Sequence, residues 1–197
     1  MWRRFIVYML LISWANMAEA FDSDLWPGEG MPRFAAKAEF LTLHKAPSQS
    51  SPVAVKYRAV VAQEIRYDQT RLRTLRAGKV TAKVAGAWSG RRFGPISHLS
   101  KAQYYSQAAA WTDYAYSAGE TFEYLQNRAE GACLIKYRGD VLEIDWCPWL
   151  DRNTTSDFEM SVAPEIQWWI RVIGDNKHPM GWLLVEENVV TFLPRQF

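Results

Sequence analysis

Three histidines, two cysteines and a few close-set carboxylates are the side chains in this sequence with the means to make or break bonds. His44, His98 and His178 lie far apart, and none has a ligand-type residue at metal-binding spacing. Each reads as a loop histidine that is solvated or hydrogen-bonded. Cys133 could serve as a nucleophile with a distant histidine, but Cys147 lies close enough in sequence to compete for it. Asp140, Glu143 and Asp145 cluster near one expected hairpin, and Glu186 and Glu187 near another. Charge on strand edges, which discourages aggregation, explains both sets. Gly28-Glu29-Gly30 lacks the strand–loop–helix context of a phosphate site. No catalytic residue, metal ligand or cofactor is therefore expected. The competing reading is a cell-wall hydrolase or other secreted enzyme whose site carries no motif.

Two further motifs have plain structural explanations. Arg138-Gly139-Asp140 spells an integrin-recognition tripeptide, yet it falls where a hairpin turn is expected, and Gly-Asp is itself turn-forming. Asn153-Thr154-Thr155 is a glycosylation acceptor only in a host that glycosylates secreted proteins.

The amino terminus sets the compartment. Arg3 and Arg4 precede an apolar run from Phe5 to Ala15, and Ala18-Glu19-Ala20 supplies small residues where a signal peptidase reads. Residues 1–20 are thus expected to be a signal peptide, too short to span a bilayer stably. No stable membrane span is expected after cleavage, and the protein is placed in the periplasm or outside the cell. In an oxidising compartment the even cysteine count favours a disulfide between Cys133 and Cys147, on adjacent strands flanking the turn at Gly139.

The elements that must carry these residues are strands. The clearest is Glu165–Val172, where Ile166, Trp168, Ile170 and Val172 alternate with Gln167, Trp169 and Arg171. A turn-forming run, 174–181, leads into Trp182-Leu183-Leu184-Val185 and completes a hairpin. The first set is expected in the core and the second on the outward side. Further strands are expected at 38–44, 53–55, 59–67, 71–75, 79–84, 121–125, 131–137, 141–146 and 188–193. Loops are expected at 46–52, 86–95 and 148–163, with a short helix at 99–106; periodicity leaves 108–116 undecided between helix and strand. Short strands at this spacing indicate a mainly β chain of small barrels or sandwiches. Of its 197 residues, 49% are apolar and 22% charged, which suits a globular fold and excludes a disordered one. Its ten tryptophans read first as core filler. The net charge of +2 and the lack of a basic stripe exclude nucleic acid as an expected partner. Removing Arg3, Arg4 and Glu19 from 23 basic and 21 acidic residues leaves a mature chain of 21 and 20, close to neutral.

Trp169-Ile170-Arg171-Val172, a turn and Gly181-Trp182-Leu183-Leu184 resemble the closing hairpin of bacterial SH3-like domains of the cell envelope. Leu41-Thr42-Leu43-His44-Lys45-Ala46-Pro47 resembles the opening strand and first loop. The likeness covers roughly 117–197 and, more weakly, 38–96. It implies two small SH3-like β-barrels in tandem. The expected division is a signal peptide at 1–20, an irregular lead-in at 21–37, a first module at 38–96, an irregular and partly helical connection at 97–116, and a second module at 117–197. Such domains bind rather than catalyse, so the resemblance implies an exported binding or scaffolding protein whose partner is a peptide, peptidoglycan or an envelope protein. In the family the Trp that begins the Trp-x-x-Val pattern lines the ligand groove, and it maps onto Trp169, which strand parity independently turns outward. Trp169, Arg171, Gln167 and Trp182 are the expected ligand-binding residues. Tyr104, Tyr105, Trp111, Tyr114 and Tyr116 are expected to pack between the modules.

Overall fold

The computed structural model describes residues 21–23, 31–93, 110–128, 131–150 and 157–194. The expected signal peptide, the helix at 99–106, His98, Tyr104, Tyr105 and the Asn153 acceptor lie outside the described residues. The chain is mainly β, with strands β1 (Phe21–Ser23), β2 (Arg33–Ala36), β3 (Phe40–His44), β4 (Val53–Arg58), β5 (Tyr67–Arg76), β6 (Gly78–Ala82), β7 (Gly86–Arg92) and β8 (Thr112–Tyr116) in its first part. These are followed by β9 (Thr121–Asn127), β10 (Cys133–Tyr137), β11 (Asp140–Ile144), β12 (Phe158–Val162), β13 (Glu165–Ile173), β14 (Pro179–Leu184) and β15 (Val190–Leu193). A 3-10 turn, Pro148–Leu150, follows β11. Among the described residues no helix is long and apolar enough to cross a membrane.

The strands form two large sheets and one small one. Both ends of the chain build a six-stranded sheet in the order β1-β5-β13-β14-β3-β4, the split sheet, with the pair β15-β2 beside it. The middle of the chain builds a seven-stranded sheet, β12-β6-β9-β10-β11-β7-β8, the insert sheet. The expected modules at 38–96 and 117–197 are therefore redrawn: β9–β12 join β6–β8 in the insert sheet, whereas β13–β15 return to β2–β5. The pairing also gives open sheets with two edges each rather than closed barrels. Periodicity reveals that a segment is a strand and which side faces a core, but not which strand lies next to it.

The two large sheets are joined by a continuous ribbon. β5 passes into β6 through Ala77 alone, and β12 passes into β13 through Ala163-Pro164. β13 pairs with β5 and β12 with β6, so two antiparallel strands cross together from one sheet to the other. The crossing is tight: a Cβ on Gly78 would lie 3.0 Å from both Pro164 Cδ and the Val162 carbonyl oxygen. Only glycine lets the backbones approach so closely. The buried Thr74 hydroxyl donates to the Leu125 carbonyl at 2.9 Å, tying β5 to β9 across the seam.

Each sheet has its own core. That of the split sheet is aliphatic with one phenyl ring: Phe34, Leu41, Leu43, Ile65, Ile170, Val172, Leu183 and Val190. That of the insert sheet is aromatic, with Trp88, Phe122, Tyr124, Tyr137, Trp149 and Phe158 around Ile135, Leu142 and Ile144. Trp88 stacks on Tyr116 at 4.3 Å and meets Phe122 edge-on at 4.6 Å. Gly86–Arg92, expected as a loop, is a strand because Trp88 anchors it in this core. The undecided 108–116 region yields β8, whose Tyr114 and Tyr116 pack on the insert core rather than between modules. Within the expected loop 148–163 lie the 3-10 turn and β12.

The hairpin β10–β11 forms as its sequence demands. Tyr137 pairs with Asp140, and Arg138 and Gly139 between them both have positive φ, the signature of a type I′ turn. Arg138 is held by Glu120 at 2.8 Å and Asp140 by Arg92 at 3.0 Å, so the Arg-Gly-Asp tripeptide is a braced turn. Cys133 and Cys147 are bonded, with Cα atoms 6.0 Å apart. Cys147 lies beyond β11 rather than in it, and Cys133 pairs with Ile144. The bond therefore fastens the segment after the hairpin back onto β10.

Candidate binding surfaces

The outward side of β13 is the expected ligand site, and the register shows which residues share it. Gln167 lies opposite Arg73, Trp169 opposite Arg71 and Leu184, Arg171 opposite Gln69 and Trp182, and Trp182 opposite His44. Parity holds: Ile170 and Val172 are buried on the core side and Trp169 is on the other. Yet Trp169 is only 1% exposed, and the expectation that it lines an open groove is corrected. The β3–β4 connection, residues 45–52, folds over this side. The Gln49 side-chain oxygen accepts from Gln167 Nε2 at 3.0 Å, and the Pro47 carbonyl accepts from Arg73 at 2.9 Å. Trp169 Nε1 donates to Gln167 Oε1 at 3.2 Å, and the His44 ring meets the indole edge-on at 5.6 Å.

The rest of the expected set is engaged in the same way. Arg171 grips Asp68 with two hydrogen bonds, 2.8 and 2.6 Å, which hold the Asp68 carboxyl below its usual range and the guanidinium above its own. Trp182 is buried with the Arg71 guanidinium 6.0 Å from its ring centre. His44 Nδ1 lies 2.9 Å from the Ser51 carbonyl, and His178 is exposed in the β13–β14 turn. Toward the Pro164 crossing β13 outruns its core, so Ile166 and Trp168 are only half-buried. Trp168 meets Phe192 edge-on at 5.9 Å beside a cleft of about 320 Å³.

The open surface lies at the opposite edge of the split sheet. Among the described residues β4 pairs with β3 alone, and none of its six residues is buried. Leu43 lies opposite Val55 and Leu41 opposite Tyr57, so Val55 and Tyr57 continue the core side to the edge, while the register shift after Leu43 sets Val53 opposite His44, on the Trp169 side. On that side Val55 is left 36% exposed, and Val53 is 49% exposed on the other. Tyr57 leads into a cleft of about 240 Å³ between the 59–66 connection and the β13–β14 turn. Its floor holds Ala59, Ile65, Val172 and Met180; its rim carries Glu64 and Arg66. Two ion pairs fix that rim, Arg33 with Glu64 at 2.8 Å and Arg66 with Asp175 at 3.3 Å. Tyr67 behind it donates to the Pro32 carbonyl, and burial pushes its phenol up to about 12. Sequence reading found β4 as a short strand but missed its edge position; the alternation of Val55 and Tyr57 with Lys56 and Arg58 was the available signal.

A second feature escaped the sequence. Glu143, expected as surface charge, is buried in the insert sheet between Arg91, which donates to it at 2.9 and 2.8 Å, and Arg128. Arg91 had been placed in a loop, so its strand partner was hidden. Asp145, by contrast, is exposed as expected. Among the described residues, no group of three or more His, Cys, Asp or Glu side chains is placed to hold a metal ion, and Cys133 Sγ is engaged in the disulfide. Comparison with protein-family models, with curated proteins and with solved structures returned no match.

Proposed function

We propose that this chain is an exported, non-enzymatic binding or scaffolding protein that holds an extended peptide segment of a bacterial envelope partner along β4. The observation that carries the reading is β4 itself, an edge strand with an uncovered apolar row. An edge strand offers unpaired backbone donors and acceptors to an added strand, while alternate side chains supply pockets. Val55 and Tyr57 supply that row, and the adjoining cleft of about 240 Å³ accommodates a side chain rather than a whole small molecule. The leader-like residues 1–20 and the Cys133–Cys147 bond support export. The SH3-like hairpin supports the class of partner, peptide, peptidoglycan or envelope protein, while the groove moves from Trp169 to β4.

The test is a panel of extended peptides and peptidoglycan fragments titrated onto the mature protein. A Val55→Lys variant should fold and lose at least tenfold in affinity for any peptide that binds. Undiminished binding by that variant would overturn the β4 site. Clearing of purified cell wall in a zymogram would overturn the non-enzymatic reading. Export predicts a mature chain beginning at Phe21, and secreted protein that kept residues 1–20 would contradict the cleavage assigned to them.

A further inference from the structure

The insert sheet carries a polar cluster on the side opposite its aromatic core. Gln126 lies across from Leu134, Leu134 from Glu143, and Glu143 from Arg91, so these four share one row over β9, β10, β11 and β7. Arg128, two residues beyond Gln126, reaches the same carboxylate: its Nε lies 3.5 Å from Glu143 Oε1, an ion pair too long to be a hydrogen bond. Phe93 packs under the Arg128 guanidinium at 5.8 Å and meets Phe21 of β1 at 6.1 Å, which sets the cluster at the seam with the split sheet. On its other flank Arg91 lies 5.0 Å from the Trp111 ring.

Two properties of this cluster point to a ligand. Among the described residues two guanidinium groups face one carboxylate. Arg128 is also only 7% exposed and Gln126 1%, yet Arg128 Nε and Nη1 and both Gln126 amide atoms make no hydrogen bond among the described residues. Desolvated donors on a cation are strongly unfavourable without an acceptor, and charge-assisted bonds to an oxyanion are the strongest remedy. The Gln126 oxygen adds a second requirement, since it can be satisfied only by a donor.

We propose that the Arg128–Gln126–Arg91 cluster binds a small oxyanion that carries a hydrogen-bond donor beside its charged oxygens. Arg128 takes the charged oxygens, Gln126 Nε2 a further oxygen, and Gln126 Oε1 the ligand's N–H or O–H. Inorganic hydrogen phosphate and the terminal carboxylate of a peptide, with its neighbouring amide N–H, both have this chemistry. The site is independent of β4.

The experiment uses the full mature chain in chloride buffer at fixed ionic strength. Inorganic phosphate, N-acetylglycine and acetate are each titrated while thermal unfolding and the Arg side-chain Nε–H NMR resonances are followed. Phosphate or N-acetylglycine should raise the Tm saturably and shift the Arg128 resonance. Which of the two does so identifies the source. Acetate, lacking the donor, should need at least tenfold higher concentration. Gln126→Leu removes the unpaired amide and should keep the fold while abolishing the preference over acetate; Arg128→Lys should remove the saturable response. A wild-type protein with no saturable response to either donor-bearing anion, or variants that respond as wild type does, would overturn the site.

Discussion

The split sheet and the insert sheet solve the same problem, closing a small β core, in opposite ways. The insert sheet is built from one continuous stretch, fills its interior with large rings and is fastened by the Cys133–Cys147 bond. The split sheet is assembled from the two ends of the chain around aliphatic side chains, and it stops at β4 with part of its apolar side uncovered. A core of rings buries much area per residue, so few strands suffice to complete it. An aliphatic core with an open edge has surface left over. The difference therefore places the candidate peptide site on the split sheet and leaves the insert sheet as its rigid support.

Removing one large indole from each sheet tests whether that support is mechanical. Trp88→Ala in the insert core and Trp169→Ala beneath the 45–52 connection should each destabilise by about 3–5 kcal/mol, the range for a buried Trp cut to Ala. Both should unfold in one transition by near-UV circular dichroism and by fluorescence, because the β5–β6 and β12–β13 ribbon carries both sheets and Thr74 bonds to Leu125 across the seam. Two separated transitions would show that the ribbon is only a tether.

Opening the disulfide acts on one sheet alone. Cys133→Ala with Cys147→Ala releases a loop defined by a sequence separation of 14 residues. The expected loss is about 3 kcal/mol in denaturant unfolding, from the larger entropy of the unlinked unfolded chain. Peptide binding at β4 should survive in the fraction that remains folded. A loss of binding in that fraction would couple the two sheets more closely than the comparison implies.

Legibility in the sequence divides along the same line. Strand parity placed Ile170 and Val172 in a core and Trp169 away from it, and Arg138-Gly139 announced its turn, because these follow from local periodicity and backbone chirality. Partner choice was not local. Nothing in the spacing of β13 states that it pairs with β5, about a hundred residues earlier, so the boundary between modules was misplaced. Trp169 was mistaken for a surface residue for a related reason: the segment that covers it, around Pro47 and Gln49, meets it only in the fold. Glu143 and Arg91 looked solvated for want of knowing that they face each other on neighbouring strands. The candidate surface on β4 was half legible, since Val55 and Tyr57 alternate with Lys56 and Arg58 in the sequence while the bulge that turns Val53 away and the exposure of the row are properties of the completed sheet.

The Asp68–Arg171 pair allows a finer comparison of the two sides of β13. Because folding lowers the Asp68 pKa through its bonds to Arg171, its contribution is complete above the ordinary value of 3.8 and is lost as the pH falls through the lower folded-state value. Asp68→Asn should therefore destabilise by about 0.5–1 kcal/mol near neutral pH, the scale for a partly exposed two-point pair. The deficit should vanish at acid pH, where wild type and variant carry the same charge at this position. A deficit that persisted there would assign the effect to packing around Trp182 rather than to charge.

The smallest effect on stability is expected at β4, where the largest effect on binding is proposed. Val55→Thr keeps the β-branched shape at a site already in contact with solvent, so unfolding should shift by no more than about 0.5 kcal/mol. The same change replaces a methyl by a hydroxyl within the row that an added strand would cover. Each buried CH₂-sized apolar group contributes about 0.8 kcal/mol, so peptide affinity should fall about three- to fivefold. Val190→Thr, within the buried core of the split sheet but outside the cleft beside β4, should reverse the pattern. Its unfolding should shift by more than 1 kcal/mol, because a hydroxyl is then buried among aliphatic groups, while affinity changes little once the protein is folded. Measured side by side, the two substitutions separate an edge kept open for a partner from a core that ends for lack of side chains: equal affinities in both variants would leave β4 as no more than the sheet's last strand.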